Sequence, residues 1–284
     1  MSTYFAIVTC RNSEKDIEMA INSLANQSLK PRYIIIIDDG SKDGTPSILN
    51  NLKNRIDNIY IITNPDYGYD VRRIVTNWNK ALKFAEDMNL EKTDYHMIAT
   101  DDTQYEVQYA EKILNYFSSN NSVAIASGNY DKVTYSAPHG AGRFVNNAFF
   151  SAHLKYYPEK MGYESAVLYE ALEYGFKCTV VPDARFIHTR QLGSNHHFYE
   201  FGASMRTLGY HPIFAVGRFL QYFLLGKPIG RIGAINMLYY YVSYKPKQVG
   251  YDSMYDSVTR KAIRNIQKRR IAQKFGLLRE DTKS

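Results

Sequence analysis

The sequence predicts an α/β fold: a mostly parallel central sheet flanked by helices, followed by a helical C-terminal extension. Three observations carry the prediction. Short apolar runs alternate with helix-period segments through the first hundred residues, the signature of strands joined by crossover helices. One of these runs, Tyr33 to Ile37, is apolar throughout and largely β-branched, as a strand buried on both faces requires. From about His196 the alternation stops, and aromatics, glycines and scattered cations take over. The chain therefore divides at residue 197 into a first domain, with halves 1–102 and 103–197, and an extension, 198–284.

Tyr4 to Thr9 reads as the first strand. Ser13 followed by Asp16 reads as a capping box for a helix with Ile17, Ala20, Ile21 and Leu24 on one face. After the Tyr33–Ile37 strand, Thr45-Pro46 supplies a cap and a first-turn proline for a helix through Leu52. Ile59 to Ile62 is a third strand, Val71 to Met88 a helix, and Tyr95 to Ala99 a fourth strand. A helix near Glu106 to Phe117, a strand near Val123 to Ser127 and a tight turn at Gly140-Ala141-Gly142 follow. Glu164 to Tyr174 is helical, and Lys177 to Val181 and Arg185 to His188 are strands. Ligands of parallel sheets bind beyond the carboxyl ends of the strands, so polar residues there are the first candidates for chemistry.

Composition excludes several classes. The 284 residues are 45% hydrophobic, too apolar for a disordered chain. No run reaches the ~18 uncharged apolar residues of a transmembrane helix. The opening apolar run, Tyr4 to Val8, is too short for a signal peptide and lacks a basic flank. Cys10 and Cys178 form neither a metal spacing nor a disulfide framework, which favours a reducing, cytoplasmic compartment. The net charge of +7 is local: Ser257 to Arg279 holds eight cations and no acid, while the rest of the chain carries 27 cations against 28 acids. That disfavours a nucleic-acid groove across the body and favours a contact between the tail and something anionic.

Two acidic clusters follow strands. In Asp38-Asp39-Gly40-Ser41-Lys42-Asp43-Gly44-Thr45 the carboxylates can accept hydrogen bonds from a nucleobase N–H or a ribose hydroxyl, and the glycines permit close backbone approach; the same residues also fill ordinary turns. In Thr100-Asp101-Asp102 adjacent carboxylates repel unless a cation sits between them, and a divalent ion holding a diphosphate is one solution. His188 ends a strand, where a neutral imidazole could complete a metal shell or simply satisfy backbone groups. Glu164 opens a helix whose dipole keeps a carboxylate ionised; it is either a general base or a plain helix-opening glutamate.

Together with Asn12, and with Ser23-Leu24-Ala25-Asn26-Gln27-Ser28 closing the first helix, these clusters make the sequence resemble the family-two glycosyltransferases of GT-A fold. That family opens with a strand, a T/P-x-x-N turn, a helix ending in S-L-x-x-Q-S/T, and a VDDGSxDGT loop, here Ile37 to Thr45; the resemblance covers roughly residues 4 to 190. It implies a GT-A fold and an inverting transferase dependent on a nucleotide-diphosphate sugar, a hexosyltransferase first of all, with 1–102 as nucleotide-binding half and 103–197 as acceptor half. Asp38 and Asp39 take the position of nucleotide-contacting acids, with Thr9 and Arg11 beside them. Thr100-Asp101-Asp102 stands for the family's D-x-D, with Thr100 in place of the first acid. Asp102 is then the ligand of Mn²⁺ or Mg²⁺, joined by His188, and Asp101 lies nearer the sugar or ribose. Arg72 and Arg73, with Asn77, occupy the helix where the family carries a basic residue and an asparagine, in a different spacing. Counting back from Gly175 puts Glu164 at the catalytic base, with Tyr163 where a companion acid often stands. Arg190 and the loop Gln191 to His197 become a lid over the diphosphate, and Gly142 a backbone contact to sugar or phosphate.

In the extension, Phe201, Phe214, Phe219, Leu224, Ile232 and Tyr239 to Tyr241 are interleaved with Arg206, Arg218, Lys227 and Arg231. Apolar bodies beside cations suit a membrane interface, here a cytosolic face; they suit equally a core or the contact of a homo-oligomer. The expected acceptor is a glycan or a lipid-linked hydroxyl or phosphate. Two rivals stand: a nucleotidyltransferase, whose glycine-rich loop would replace Cys10-Arg11-Asn12-Ser13, and a non-catalytic nucleotide-sugar or membrane-surface binding protein. The first releases pyrophosphate, the second no product, and a glycosyltransferase releases nucleoside diphosphate.

Overall fold

The computed structural model describes residues 2–130, 137–190 and 198–274. The expected lid, Gln191 to His197, and the tail cation Arg279 lie outside the described residues. The chain forms two compact units, Met1–Pro158 with Gly175–Gln191, and Glu159–Tyr174 with Leu192–Ser284.

The first unit is built on one sheet. Strands β1 (Tyr4–Cys10), β2 (Ile34–Asp38), β3 (Ile59–Thr63) and β4 (Tyr95–Thr100) are parallel, with α1 (Ile17–Ala25), α2 (Thr45–Arg55) and α3 (Arg73–Asp87) as crossovers. Then come β5 (Thr103–Tyr105), α4 (Tyr109–Ser118), β6 (Val123–Tyr130), β7 (Arg143–Asn146), α5 (Asn147–His153) and β8 (Lys177–His188). The sheet order is β3-β2-β1-β4-β7-β6-β8-β5. Ile34 to Ile37 are fully buried, each contributing on the order of 1.5–3 kcal/mol of apolar transfer. β7 runs antiparallel to both β4 and β6, which interrupts the parallel run, and β6 and β8 resume it.

Sequence and structure differ at several ends. The two strands expected over 177–188 are one, because residues 182–184 bulge out between the pairs Gly128–Val181 and Asn129–Arg185, which accommodates Pro182. β5, β7 and α5 are too short to display a period and have no counterpart in the sequence reading. The expected capping box is absent: Asp16 is the N-cap of α1 and makes no side-chain cap bond, while the Ser13 hydroxyl donates to Asp101. Thr45 is the first residue of α2 rather than its cap, and its hydroxyl accepts from the Ser13 N–H at 2.8 Å.

The second unit is helical: α6 (Tyr163–Glu173), α7 (Tyr199–Thr207), α8 (Pro212–Leu225), α9 (Gly230–Ser243) and α10 (Ser257–Lys274). Tyr169, Met205, Leu208, Ala234, Met237 and Ile263 are buried in its core, with Phe201, Phe214, Phe219 and Phe223 packed against them. Much of the aromatic content of the extension is therefore core. The basic tail is α10, and it too is packed: Gln267 is fully buried, accepting from the His211 N–H at 2.8 Å and donating to the Tyr169 hydroxyl at 2.9 Å. Lys261, Lys268, Arg269 and Arg270 are exposed.

Candidate active site

The parallel strands of the first unit end level. Cys10 pairs with Asp38 and Thr9 with Thr100, so the residues after β1, β2 and β4 meet at one edge of the sheet. There Gly40 lies at φ +73°, and a Cβ on it would fall 2.6 Å from the Asp66 Cα, so only glycine lets the Asp38–Gly40 turn pack on the chain leaving β3. Arg11 clamps this turn from β1, donating to the Asp39 and Gly40 carbonyls and, at 2.6 Å, to the Asp66 carboxylate. Asn12 joins the same turn through the Lys42 N–H, which donates to its side chain at 2.8 Å.

Asp39 is 5% exposed and meets Arg73, whose Nε donates to both carboxylate oxygens at 2.9 and 3.1 Å; Asn64 adds a bond of 3.0 Å. Burial raises the Asp39 pKa, but the hydrogen bonds from Arg73 and Asn64 and the Arg73 charge outweigh it, so the carboxyl titrates below its usual range. Asp38 accepts from the Ser41 hydroxyl at 2.6 Å and the Ser41 N–H at 3.0 Å through one oxygen only. Its second oxygen is buried with no hydrogen-bond partner, as is the Thr9 hydroxyl on the adjacent strand. Orphaned acceptors at neighbouring strand ends suit a ligand that brings donors.

The second cluster gathers around Arg190. Its guanidinium bonds Asp101 and lies 3.3 Å from Asp102 and 3.6 Å from Asp16, so one cation answers three acids. Burial raises the Asp101 pKa against the pull of Arg190 and Ser13. Asp102 is held low: the His188 ring and the Arg190 charge outweigh burial. The His188 Nδ1 lies 3.6 Å from Asp102 and 2.8 Å from the Thr103 hydroxyl, while its Nε2 is buried with no hydrogen-bond partner.

Three expected contacts fare differently. Arg72 is half-exposed and pairs with Asp70 at 2.9 Å, so of the two arginines Arg73 is the one that meets Asp39. The N–H of Gly142 donates to the Ile98 carbonyl at 2.8 Å, so it does not face a ligand. Gly142 is required instead for its φ of +76° and because a Cβ would collide with Tyr109. Glu164 belongs to the second unit, on the first turn of α6.

Residues 5–170, more than half of the chain, match the family described as Glycosyl transferase family 2. The chain belongs to this family. No curated protein matches it. Solved glycosyltransferases share the GT-A fold of this family 2 chain. The mannosyltransferase PcManGT from Pyrobaculum calidifontis, in complex with GDP-Man and Mn²⁺, superposes with a TM-score of 0.60 at 13% identity, over 97% of this chain and 80% of that one. S. aureus TarS 1-349 gives 0.53 at 17% identity, over 84% and 70%. The same protein in complex with UDP-GlcNAc gives 0.55 at 18%, over 72% and 64%.

Among the described residues of this family 2 chain, no group of three His, Cys, Asp or Glu could hold a metal ion. The pair Asp102 and His188 still fits a divalent cation in part. It offers a hard carboxylate and an imidazole whose nitrogen beside Asp102, Nδ1, is bonded to the Thr103 hydroxyl, and it leaves the rest of the coordination to ligand oxygens. Ser13 and Asp16, expected only as helix caps, and the turn residues Asn64 and Asp66, not expected at all, owe their importance to partners distant in the chain.

Proposed function

We propose that this family 2 glycosyltransferase moves a hexosyl group from a nucleoside-diphosphate sugar to a hydroxyl or phosphate acceptor with inversion. The observation that carries the reading is the convergence, at one sheet edge, of orphaned acceptors on Thr9 and Asp38 with the Asp101–Asp102–Arg190 cluster. The nucleoside binds at the Asp38–Asp39 turn, where Asp39, fixed by Arg73, accepts from ribose or base. The diphosphate binds at the ends of β4 and β8. Arg190 is the cation poised to turn from the carboxylates to phosphate oxygens, which its fork can engage in pairs. Asp102 and His188 would hold Mn²⁺ or Mg²⁺, which would supply neutralisation of the leaving diphosphate. Glu164 takes the acceptor proton while the acceptor oxygen attacks the anomeric carbon. The bond to the diphosphate breaks in the same displacement, so the configuration inverts without a covalent intermediate.

The test is incubation of the full-length protein with a panel of nucleoside-diphosphate sugars and Mn²⁺ or Mg²⁺, with quantification of nucleotide products. The expected result is release of nucleoside diphosphate from at least one donor. Release of pyrophosphate would assign a nucleotidyltransferase. No product and no thermal stabilisation by any donor would reject the proposal.

A further inference from the structure

Helices α8 and α9 pack on one another in the second unit, and each leaves an apolar face uncovered. On α8, Ile213, Val216, Leu220 and Leu224 recur at a spacing of three to four residues and are exposed, Leu224 at 71%. On α9 the inward face is Gly233, Ala234, Met237 and Tyr241. Its outward face is Ile232, Ile235, Tyr239 and Val242, with Ile232 exposed at 76%. Apolar residues thus lie on both sides of α9, and only the inner side is in the core. Contiguous uncovered apolar faces on a folded protein mark an interaction site.

Charge identifies the occupant. Residues 201–251 contain six cations, Arg206, Arg218, Lys227, Arg231, Lys245 and Lys247, and no acid. Lys227 and Arg231 are exposed at the turn between the helices, beside Leu224 and Ile232. We propose that the α8–α9 hairpin docks on an anionic lipid surface, its apolar faces set into the acyl boundary and the turn cations on the headgroups. Each helix has 14 residues, about 21 Å at the helical rise, short of the ~30 Å hydrocarbon core, so the hairpin lies in the interface. A second copy docked on the same faces would bring like charges together with no acid in the stretch to answer them, which favours lipid over self-association.

The experiment is co-sedimentation of the full-length protein with phosphatidylglycerol-containing and with pure phosphatidylcholine vesicles, at low and high salt. It needs no sugar nucleotide, so its failure is distinct from failure of the glycosyl-transfer reading. Binding to the anionic vesicles that weakens with salt is expected. Leu224→Glu with Ile232→Glu is expected to cut the bound fraction at least ~10-fold. Lys227→Glu with Arg231→Glu is expected to cut it about as much on anionic vesicles only. These two cations are exposed and make a variant that decides the matter even where the apolar one fails to fold by circular dichroism. The proposal is overturned by equal pelleting with anionic and neutral vesicles. It is equally overturned by a wild-type dimer in analytical ultracentrifugation that Leu224→Glu with Ile232→Glu converts to monomer.

Discussion

Arg73 and Asp39 form a bidentate ion pair that joins α3 to the end of β2, with the Arg73 Nε 2.9 and 3.1 Å from the two carboxylate oxygens. Asp39 is buried, so removing the cation strands a charge. Arg73→Ala is expected to cost about 2 kcal/mol in urea denaturation. Arg73→Lys restores the charge but not the planar fork, and is expected to recover less than half of that loss. A cost below about 0.5 kcal/mol for the alanine variant would show that Asp39 is satisfied without Arg73.

Glu164 is tested by a change that preserves shape and removes basicity. Glu164→Gln is expected to leave nucleotide affinity within about twofold and to reduce turnover at least ~10²-fold, in line with the loss of a general base. Affinity is read by calorimetry on the nucleoside diphosphate and turnover by its release from the donor. Unchanged turnover would remove Glu164 from the mechanism.

Asp102 and His188 are tested together. Asp102→Asn and His188→Ala are each expected to weaken Mn²⁺-dependent binding of the nucleoside diphosphate by at least ~10-fold, with little effect on binding measured in chelator. If both variants titrate with Mn²⁺ like the wild type, the ion is held elsewhere or is not used.

How far the sequence reaches is plain from these residues. The strand ends were legible because four parallel strands of five to seven residues announce themselves by apolarity, and polar residues must follow them. The choice between Arg72 and Arg73 was not legible. Consecutive helical residues point about 100° apart, and only the rotation of α3 on the sheet decides which one meets Asp39. Ser13 carried the signal of a capping box, yet its hydroxyl bonds Asp101, a partner 88 residues away that no local pattern reveals. Arg190 was visible as a phosphate ligand, but its neutralisation of Asp16, Asp101 and Asp102 follows from the pairing of β8 with β5, which sets Thr189 against the Asp102 carbonyl and Arg190 beside the three acids. The extension read equally as core or as membrane surface; a core is there, with Met237 and Tyr241 facing inward, while Ile232 and Tyr239 on the same helix are exposed.

Glu200, on the first turn of α7, supplies a pH-dependent test within the second unit. A Cβ on Gly162, at the start of α6, would lie 3.3 Å from the Ser204 Cβ, so the α7 face carrying Ser204, and Glu200 one turn before it, packs toward the α6 start that carries Glu164. Burial first, and then the Glu164 charge, push the Glu200 carboxyl up from 4.5 to about 7. Between those values the folded chain holds a proton that the unfolded chain has released. Stability therefore falls as pH rises through this window and stays lower above it. Glu200→Gln removes the penalty, with a ceiling of about 3 kcal/mol. The variant is expected to melt several degrees above the wild type at pH 8 and close to it at pH 5. Thermal melts across that range check it. An equal difference at both ends would assign the effect to packing of the glutamine rather than to a titrating carboxyl.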